Sequence, residues 1–369
     1  MSNSQIRINP DFWRGKNVLV TGHTGFKGTW LSLWLHSMGA KVTGYALEPP
    51  TDPSLYKLCR MDKIVTSYIA DIRDLSALQA AIQESAPDIV FHLAAQPLVR
   101  ASYLNPVETY EINTIGTAHV LEAVRRASAE GAPVQAVIHV STDKCYAPLA
   151  EERGYMETDM LGGADPYSNS KACAELIVAS YRQAYRHAAG SSGRQVLLAS
   201  VRAGNVIGGG DWAADRLIPD TFRAILRGEP VKLRYPQAIR PWQYVLEPLH
   251  GYLLVAQQLF EDSGKAQAWN FGPNDSDTVS VEQVVKDLCA KWGDEASYLI
   301  DQAEHPHEAH VLRLDCSKSR QLLGWSPRWN LDTAVTKSIE WMKAYMLGED
   351  CRAICNRQIL EYEEGEGNA

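Results

Sequence analysis

Asn17-Val-Leu-Val-Thr21-Gly22-His-Thr-Gly25-Phe-Lys-Gly28-Thr-Trp-Leu-Ser-Leu-Trp-Leu-His36 is the stretch that decides the fold. An apolar, β-branched run breaks into a turn with a glycine at every third place. It then resumes with helical spacing, which reads as strand, glycine turn, helix. A second strand follows at Lys41-Val-Thr-Gly-Tyr-Ala46, and further strands are expected at 64–69, 89–93, 136–140 and 196–201. Helical segments separate nearly all of them.

Parallel strands need crossover helices, so this alternation predicts an α/β fold: a doubly wound parallel sheet of Rossmann type, covered on both faces. Beyond about residue 205 the pattern turns irregular, with aromatics, prolines and helices, as expected of a smaller mixed C-terminal region that covers a substrate. The expected division is 12–204 with 241–272 for the nucleotide-binding domain, and 205–240 with 273–360 for the substrate domain. The acidic, glycine-bearing tail from Glu361 is expected to fray.

Hydrophobic residues at 45% and charged residues at 22% are ordinary globular values and exclude a disordered or fibrous chain. A net charge of -8, with no basic cluster interleaved with aromatics, argues against nucleic acid as a partner. No apolar signal core and no stretch long enough to span a bilayer stand in the sequence, so no membrane association is expected and a cytoplasmic location is. The seven cysteines are scattered without a Cys-x-x-Cys pair, as reduced thiols are. The cluster His305-Pro-His307-Glu308-Ala-His310 matches no common zinc spacing, and no metal is expected.

Gly22, Gly25 and Gly28 sit where a strand becomes a helix. Missing side chains let a pyrophosphate approach the backbone, and the helix start presents unpaired N–H groups and a positive dipole end to it. Such turns bind dinucleotides, and the second strand then often ends in an acidic residue for the adenosine ribose, about 20 residues on. Here that place holds Ala46, with Glu48 two residues later, and no Arg nearby to take a 2'-phosphate. The cofactor expected is therefore NAD. Asp71-Ile72 follows a strand and is read either as a contact to adenine or as a helix cap or turn. Leu93-Ala94-Ala95 ends another strand, its small residues letting the backbone lie beside the cofactor or a helix pack closely. Gln96 comes next, on the expected substrate side.

Tyr167-Ser-Asn-Ser-Lys171 opens a helix, so phenol and ammonium lie four apart on one face. A tyrosine titrates at about 10, and lowering that by about three units takes about 4 kcal/mol of electrostatic help, which a nearby ammonium would supply. Thr142, just after the strand 136–140, places a hydroxyl at the carboxyl edge of the sheet where ligands bind.

Four segments together resemble the extended short-chain dehydrogenase/reductases that act on nucleotide sugars, over roughly residues 15–345, and among them most closely the CDP-glucose 4,6-dehydratases. They are Gly22 to Leu35, Ser141-Thr-Asp-Lys-Cys-Tyr146, Val201-Arg-Ala-Gly-Asn-Val-Ile-Gly-Gly-Gly-Asp-Trp212 and Ile239-Arg-Pro-Trp-Gln243. The resemblance implies a lyase with a closed redox cycle on tightly bound NAD. Tyr167 takes the proton of the sugar 4-hydroxyl, Thr142 bonds the same hydroxyl, and Asp143 protonates the departing 6-hydroxyl. Lys144 stands where related dTDP- and GDP-sugar dehydratases carry Glu, either as the base at C5 or as a support for Asp143 or the cofactor. The same resemblance adds Thr24, Phe26 and Lys27 to the cofactor contacts and Asn205 to the substrate diphosphate. Arg216, Arg234 and Arg240 are candidates for phosphate oxygens or else for surface salt bridges, and Trp242 for packing on the base or in the core. It also implies a homodimer or homotetramer. The alternatives are a nucleotide-sugar epimerase and a 4,6-dehydratase of another nucleotide-linked hexose.

Overall fold

The computed structural model describes residues 7–149, 153–188, 195–293, 296–301 and 311–365. The His305 to His310 cluster lies outside them. In chain order the strands are β1 Asn17–Thr21, β2 Lys41–Ala46, β3 Thr66–Ile69, β4 Ile89–His92, β5 Ala136–Val140, β6 Leu197–Ala203, β7 Asn205–Ile207, β8 Val231–Leu233, β9 Ile239–Tyr244, β10 Ala268–Phe271, β11 Thr278–Ser280 and β12 Tyr298–Ile300.

Seven of these form one sheet in the order β10-β6-β5-β4-β1-β2-β3, and every pairing in it is parallel. The doubly wound reading is borne out. Alternation explains how one strand serves two cores: Val18 and Val20 join one apolar cluster while Leu19 joins the other, as do Ile89 and Phe91 against Val90. The first cluster is completed by Trp30, Leu31 and Trp34 of the helix Phe26–Ser37. The second is completed by Val120, Leu121 and Val124 of the helix Gly116–Ala129 and by Leu78 and Ile82 of the helix Leu75–Ser85. Each such side chain contributes about 1.5–3 kcal/mol of burial. Central β4 and β5 are buried throughout, whereas edge β3 is not.

The strand order reverses between β1 and β4, and the crevice outside their carboxyl ends is where such sheets bind ligands. After β6 the chain leaves the sheet. β9 pairs parallel with β7, Asn205 opposite Trp242, and antiparallel with β11, Arg240 opposite Val279. It runs on into the wholly buried helix Leu246–Leu259, and β10 then returns to the large sheet beside β6.

Four boundaries differ from the sequence reading, two of them by a single residue, since β4 stops at His92 and β6 starts at Leu197. The third strand begins at Thr66, because Met61–Lys63 forms a tight 3-10 turn, and β6 extends to Ala203. A larger correction concerns the tail. Glu361 to Glu364 end a regular helix, Cys351–Glu364, in which Tyr362 is fully buried and donates to Glu247 Oε2 at 2.7 Å. Glu363 Oε1 also accepts from Trp34 Nε1 at 2.6 Å and Glu361 Oε2 pairs with Lys337 Nζ at 2.9 Å, so that turn is anchored by its acidic side chains as well as by the aromatic. No described helix is long and apolar enough to cross a membrane, and all seven cysteines are free.

Candidate active site

The three glycines of the turn do different work. Gly22 has a left-handed φ of 74°, and a Cβ there would lie 2.7 Å from the backbone nitrogen of Ala94. At Gly28 a Cβ would lie 2.1 Å from the Gly22 carbonyl oxygen. Both positions are closed by the protein itself. Gly25 is different, because its Cβ would meet nothing nearer than 3.4 Å. It is also the N-cap of the helix Phe26–Ser37 and provides no side-chain cap, so the first N–H groups of that helix remain open to an anion. The fit to a dinucleotide rests on this cradle: a floor of backbone, an uncapped helix start and one glycine whose missing side chain leaves room.

The segment after β4 completes the cradle. The backbone nitrogens of Leu93 and Ala94 donate to Thr21 Oγ1 at 3.1 and 3.2 Å, and Thr21 Oγ1 also meets His92 Nδ1 at 2.8 Å. Leu93, Ala94 and Ala95 thus run beside Gly22 at the switch point. Thr24 donates to the Leu47 carbonyl at 2.9 Å, so its hydroxyl ties the turn to the end of β2. The Phe26 ring reaches across to Gly208, where a Cβ would come within 3.3 Å of its Cζ. Asp71 accepts from Arg73 N at 2.8 Å and from its guanidinium at 2.9 and 2.6 Å, which holds the carboxyl below the ordinary aspartate range. These bonds close a tight turn at Asp71, and the following helix is capped by Asp74. Ile72 is buried beneath Gly116.

Thr142, Asp143 and Lys144 lie just past β5, the last two in a tight turn for which Thr142 is the N-cap. Tyr167 and Lys171 come from the first turns of the helix Pro166–Ala188. Structure brings four of them together. Burial pushes the Tyr167 phenol up to about 12, Thr142 beside it pulls the other way, and the Arg216 guanidinium helps. Thr142 Oγ1 donates to Asp143 Oδ1 at 3.1 Å. Asp143 is 2% exposed, burial raises its pKa, and Oδ2 has no hydrogen-bond partner. Glycine at 204 makes its room, since a Cβ there would stand 3.2 Å from that oxygen. Lys144, Arg240 and Lys27 each oppose the rise at Asp143.

Lys171 departs from expectation. Its ammonium donates to the Val140 carbonyl at 2.9 Å, and the cation that eases Tyr167 is Arg216. The four-residue spacing put the two heads on one face, but the backbone oxygen at the end of β5 captures the ammonium. Burial brings Lys171 down to about 8, and Lys27 likewise.

On the substrate side, Asn205 opens β7 and Arg216 donates to Asp211 Oδ2 at 2.9 Å. Arg234 and Arg100 both donate to Asp215 Oδ1 at 2.8 Å, across a residue with a left-handed φ of 61°. Arg240 is buried and donates to the Ile239 carbonyl at 2.9 Å. Two of the side chains considered for the substrate side are engaged by the protein itself. Gln96 turns inward: its amide nitrogen donates to Leu98 O and Thr109 Oγ1 at 3.1 and 3.0 Å, and its oxygen accepts from Leu98 N at 2.6 Å. It shapes its own loop. Trp242 is 3% exposed and donates to Val279 O at 3.1 Å, so it fills the core between β9 and β11.

Sequence reasoning missed Asn113, which sits in a single π-helical turn, Glu111–Ile115. Its amide bonds the backbone of Gln96 on both sides and donates to Ser170 Oγ at 2.9 Å, and Ser102 Oγ accepts from Tyr167 N at 3.1 Å. These bonds dock the tyrosine helix to the loop after β4. The local signal was an asparagine three residues before a glycine in a helical stretch.

A model of the family described as GDP-mannose 4,6 dehydratase matches residues 19–338. This chain belongs to that family. Within the family's reach, it is 51% identical over 356 residues to a CDP-glucose 4,6-dehydratase of Salmonella typhimurium, covering 96% of this chain and 98% of that one. It is 27% identical over 345 residues to a dTDP-glucose 4,6-dehydratase of Xanthomonas campestris, covering 88% and 92%. Solved structures with the same fold include a dTDP-glucose 4,6-dehydratase from Bacillus anthracis in complex with NAD (TM-score 0.71, 20% identity, 92% and 100% covered). Another is a UDP-glucose-4-epimerase from Stenotrophomonas maltophila with bound NAD and formylated UDP-arabinopyranose (TM-score 0.77, 22% identity, 90% and 99% covered). The resemblance read from the four motifs is borne out along nearly the whole chain.

Proposed function

We propose that this protein is an NAD-dependent lyase that converts CDP-glucose to CDP-4-keto-6-deoxyglucose. The observation that carries the reading is the buried Asp143 carboxyl. One oxygen is held by Thr142 and the other is unpartnered, beside the phenol that would take the 4-hydroxyl proton. An oxidation and return at C4 alone, as in an epimerase, has no use for such an acid. Loss of water has.

NAD, which the glycine turn and the segment after β4 would hold, would supply the hydride acceptor, a cationic ring and the hydride that is returned. Tyr167 removes the proton of the 4-hydroxyl, with Thr142 orienting that hydroxyl. The 4-ketone acidifies the C5 hydrogen, which leaves as a proton while Asp143, protonated, gives its proton to the 6-hydroxyl, so that water departs across C5 and C6. Hydride enters at C6 and a proton at C5. Lys144, beside Asp143, either takes the C5 proton or tempers the acidity of Asp143. Lys171, Lys27 and the backbone at Leu93, Ala94 and Ala95 line the cofactor side, with Asp71 and Ile72 at the adenine end. Asn205, Arg216, Arg234 and Arg240 serve the diphosphate side, Arg234 once Asp215 shares it.

In this reading residues 12–204 with 241–272 hold the cofactor and 205–240 with 273–360 the sugar nucleotide. The choice of CDP rests on the Salmonella relative. Exposed Leu104, Val107, Ile115 and Leu176, on adjoining helices, offer an apolar face to a second copy, and seven free thiols suit the cytoplasm. Incubation with NAD and CDP-, dTDP-, UDP- or GDP-glucose tests the assignment. A 4-keto-6-deoxy product, seen by its absorbance in alkali, is expected from CDP-glucose alone; no product, or a preference for another nucleotide, overturns it.

A further inference from the structure

A buried ion pair stands behind the site. Glu175 is 3% exposed and Arg202 4% exposed. Arg202 donates twice to the carboxylate, Nε to Oε1 at 3.0 Å and Nη2 to Oε2 at 2.9 Å, and Ser200 Oγ adds a third bond at 2.9 Å. The guanidinium is fixed in turn by Tyr146, which accepts from Nη1 at 2.8 Å and donates to Asn270 Oδ1 at 2.6 Å. Taking two charges out of water is costly, and an apolar pair of similar volume is often as stable or more so. Stability alone is therefore a poor reason for this arrangement.

Its place supplies another reason. Glu175 follows Lys171 by one turn of the same helix, and its partners Ser200 and Arg202 lie on β6, next to the strand whose Val140 carbonyl accepts from the Lys171 ammonium. We propose that Glu175, clamped by Arg202, is a positioning residue that keeps the buried Lys171 charged and seated on the Val140 carbonyl at the edge of the site. The inference rests on the proposed function for the use made of Lys171, though not for the charge itself.

The other groups facing Lys171 do not do this. His92 on β4 and His139 on β5 are kept neutral by burial, and the Cys145 thiol is pushed well up by burial and stays protonated. Lys27, from the glycine turn, is a cation and repels. Glu175 is thus the anion that draws Lys171 upward against desolvation, which leaves it at about 8. Arg202 holds the carboxylate still and keeps it ionised against burial.

Lys171 is titrated in the full-length protein without substrate by NMR of ¹⁵Nζ-labelled lysine, the signal assigned with Lys171→Met. Relative to wild type, Glu175→Gln is expected to move the midpoint down by about one unit or more. The alkaline limb of kcat on CDP-glucose should follow that shift. A purely structural pair would lower activity in the variant and leave the midpoint where it is, which overturns the proposal. Should the single variant fail to fold for want of its partner, Glu175→Gln/Arg202→Gln decides: a lowered midpoint supports the proposal, an unmoved one contradicts it. Because the titration needs no substrate, inactivity on CDP-glucose would sink the proposed function and leave this result readable.

Discussion

Replacing Gly25 or Gly28 by alanine separates cofactor binding from folding within one short turn. At Gly28 the new methyl would stand 2.1 Å from the Gly22 carbonyl oxygen and 2.7 Å from the His23 Cα, both backbone atoms that cannot turn aside. Overpacking of this kind costs about 1–3 kcal/mol or more, and Gly28→Ala should unfold at lower urea whether or not cofactor is added. At Gly25 the methyl meets nothing closer than 3.4 Å. Loss of a favourable N-cap residue costs no more than about 1 kcal/mol, so Gly25→Ala should fold much as the native chain does. Its methyl occupies the space from which a pyrophosphate reaches the open N–H groups. Losing one charge-assisted bond there removes about 1.5–3 kcal/mol, or about 10- to 100-fold in Kd for NAD. Urea melts of cofactor-stripped protein, paired with calorimetric titration of NAD, measure both quantities. Native NAD affinity in Gly25→Ala, or equal destabilisation by the two substitutions, would show that Gly25 does not make room for a pyrophosphate.

Tyr167→Phe should cut turnover by about 10²- to 10⁴-fold, the usual range for a positioned proton acceptor, while NAD titrations stay near native; normal turnover would remove the phenol from the chemistry. Asp143→Asn should slow loss of the 6-hydroxyl more than oxidation at C4, read as solvent deuterium entering C5 without matching product; deuterium uptake and product formation both at native rates would show that Asp143 is not the acid. Burial lowers His92 to about 3. The unfolded chain then binds a proton that the native chain refuses, so this stability is whole above the ordinary histidine value and is lost as pH falls from about 6.5 towards 3. His92→Gln should flatten the fall of unfolding free energy between about pH 6 and pH 4 by about 1.4 kcal/mol per unit, measured by urea melts; an unchanged slope contradicts the assignment.

Much of the fold was legible because its signals are local. The run Val18-Leu-Val20, the glycine turn and the helix after it lie within twenty residues, and their order survives into the structure. The placement of Thr142 and Asp143 beside Tyr167 also follows from local facts: one pair ends a strand and the other group opens a helix on the same rim. Side-chain allegiance was not legible. Gln96 is claimed by Leu98 and Thr109, Trp242 by the Val279 carbonyl, and Thr24 by Leu47, each a choice among neighbours that the chain acquires only on folding. Lys171 shows the limit most clearly, since helical spacing aimed it at the phenol and a backbone oxygen from β5 took it instead. The Glu175 and Arg202 pair is of the same kind, joined across 27 positions.

In the proposed reaction one protein-held cycle carries hydride away from C4 and delivers it to C6 of the same sugar. CDP-glucose deuterated at C4, turned over by the full-length protein with NAD and analysed by NMR and mass spectrometry, tests it directly. A 4-keto-6-deoxy product bearing the label on its C6 methyl group is expected. Label returned to C4 of an unreduced hexose, or a dehydrated product with no label at C6, would contradict it.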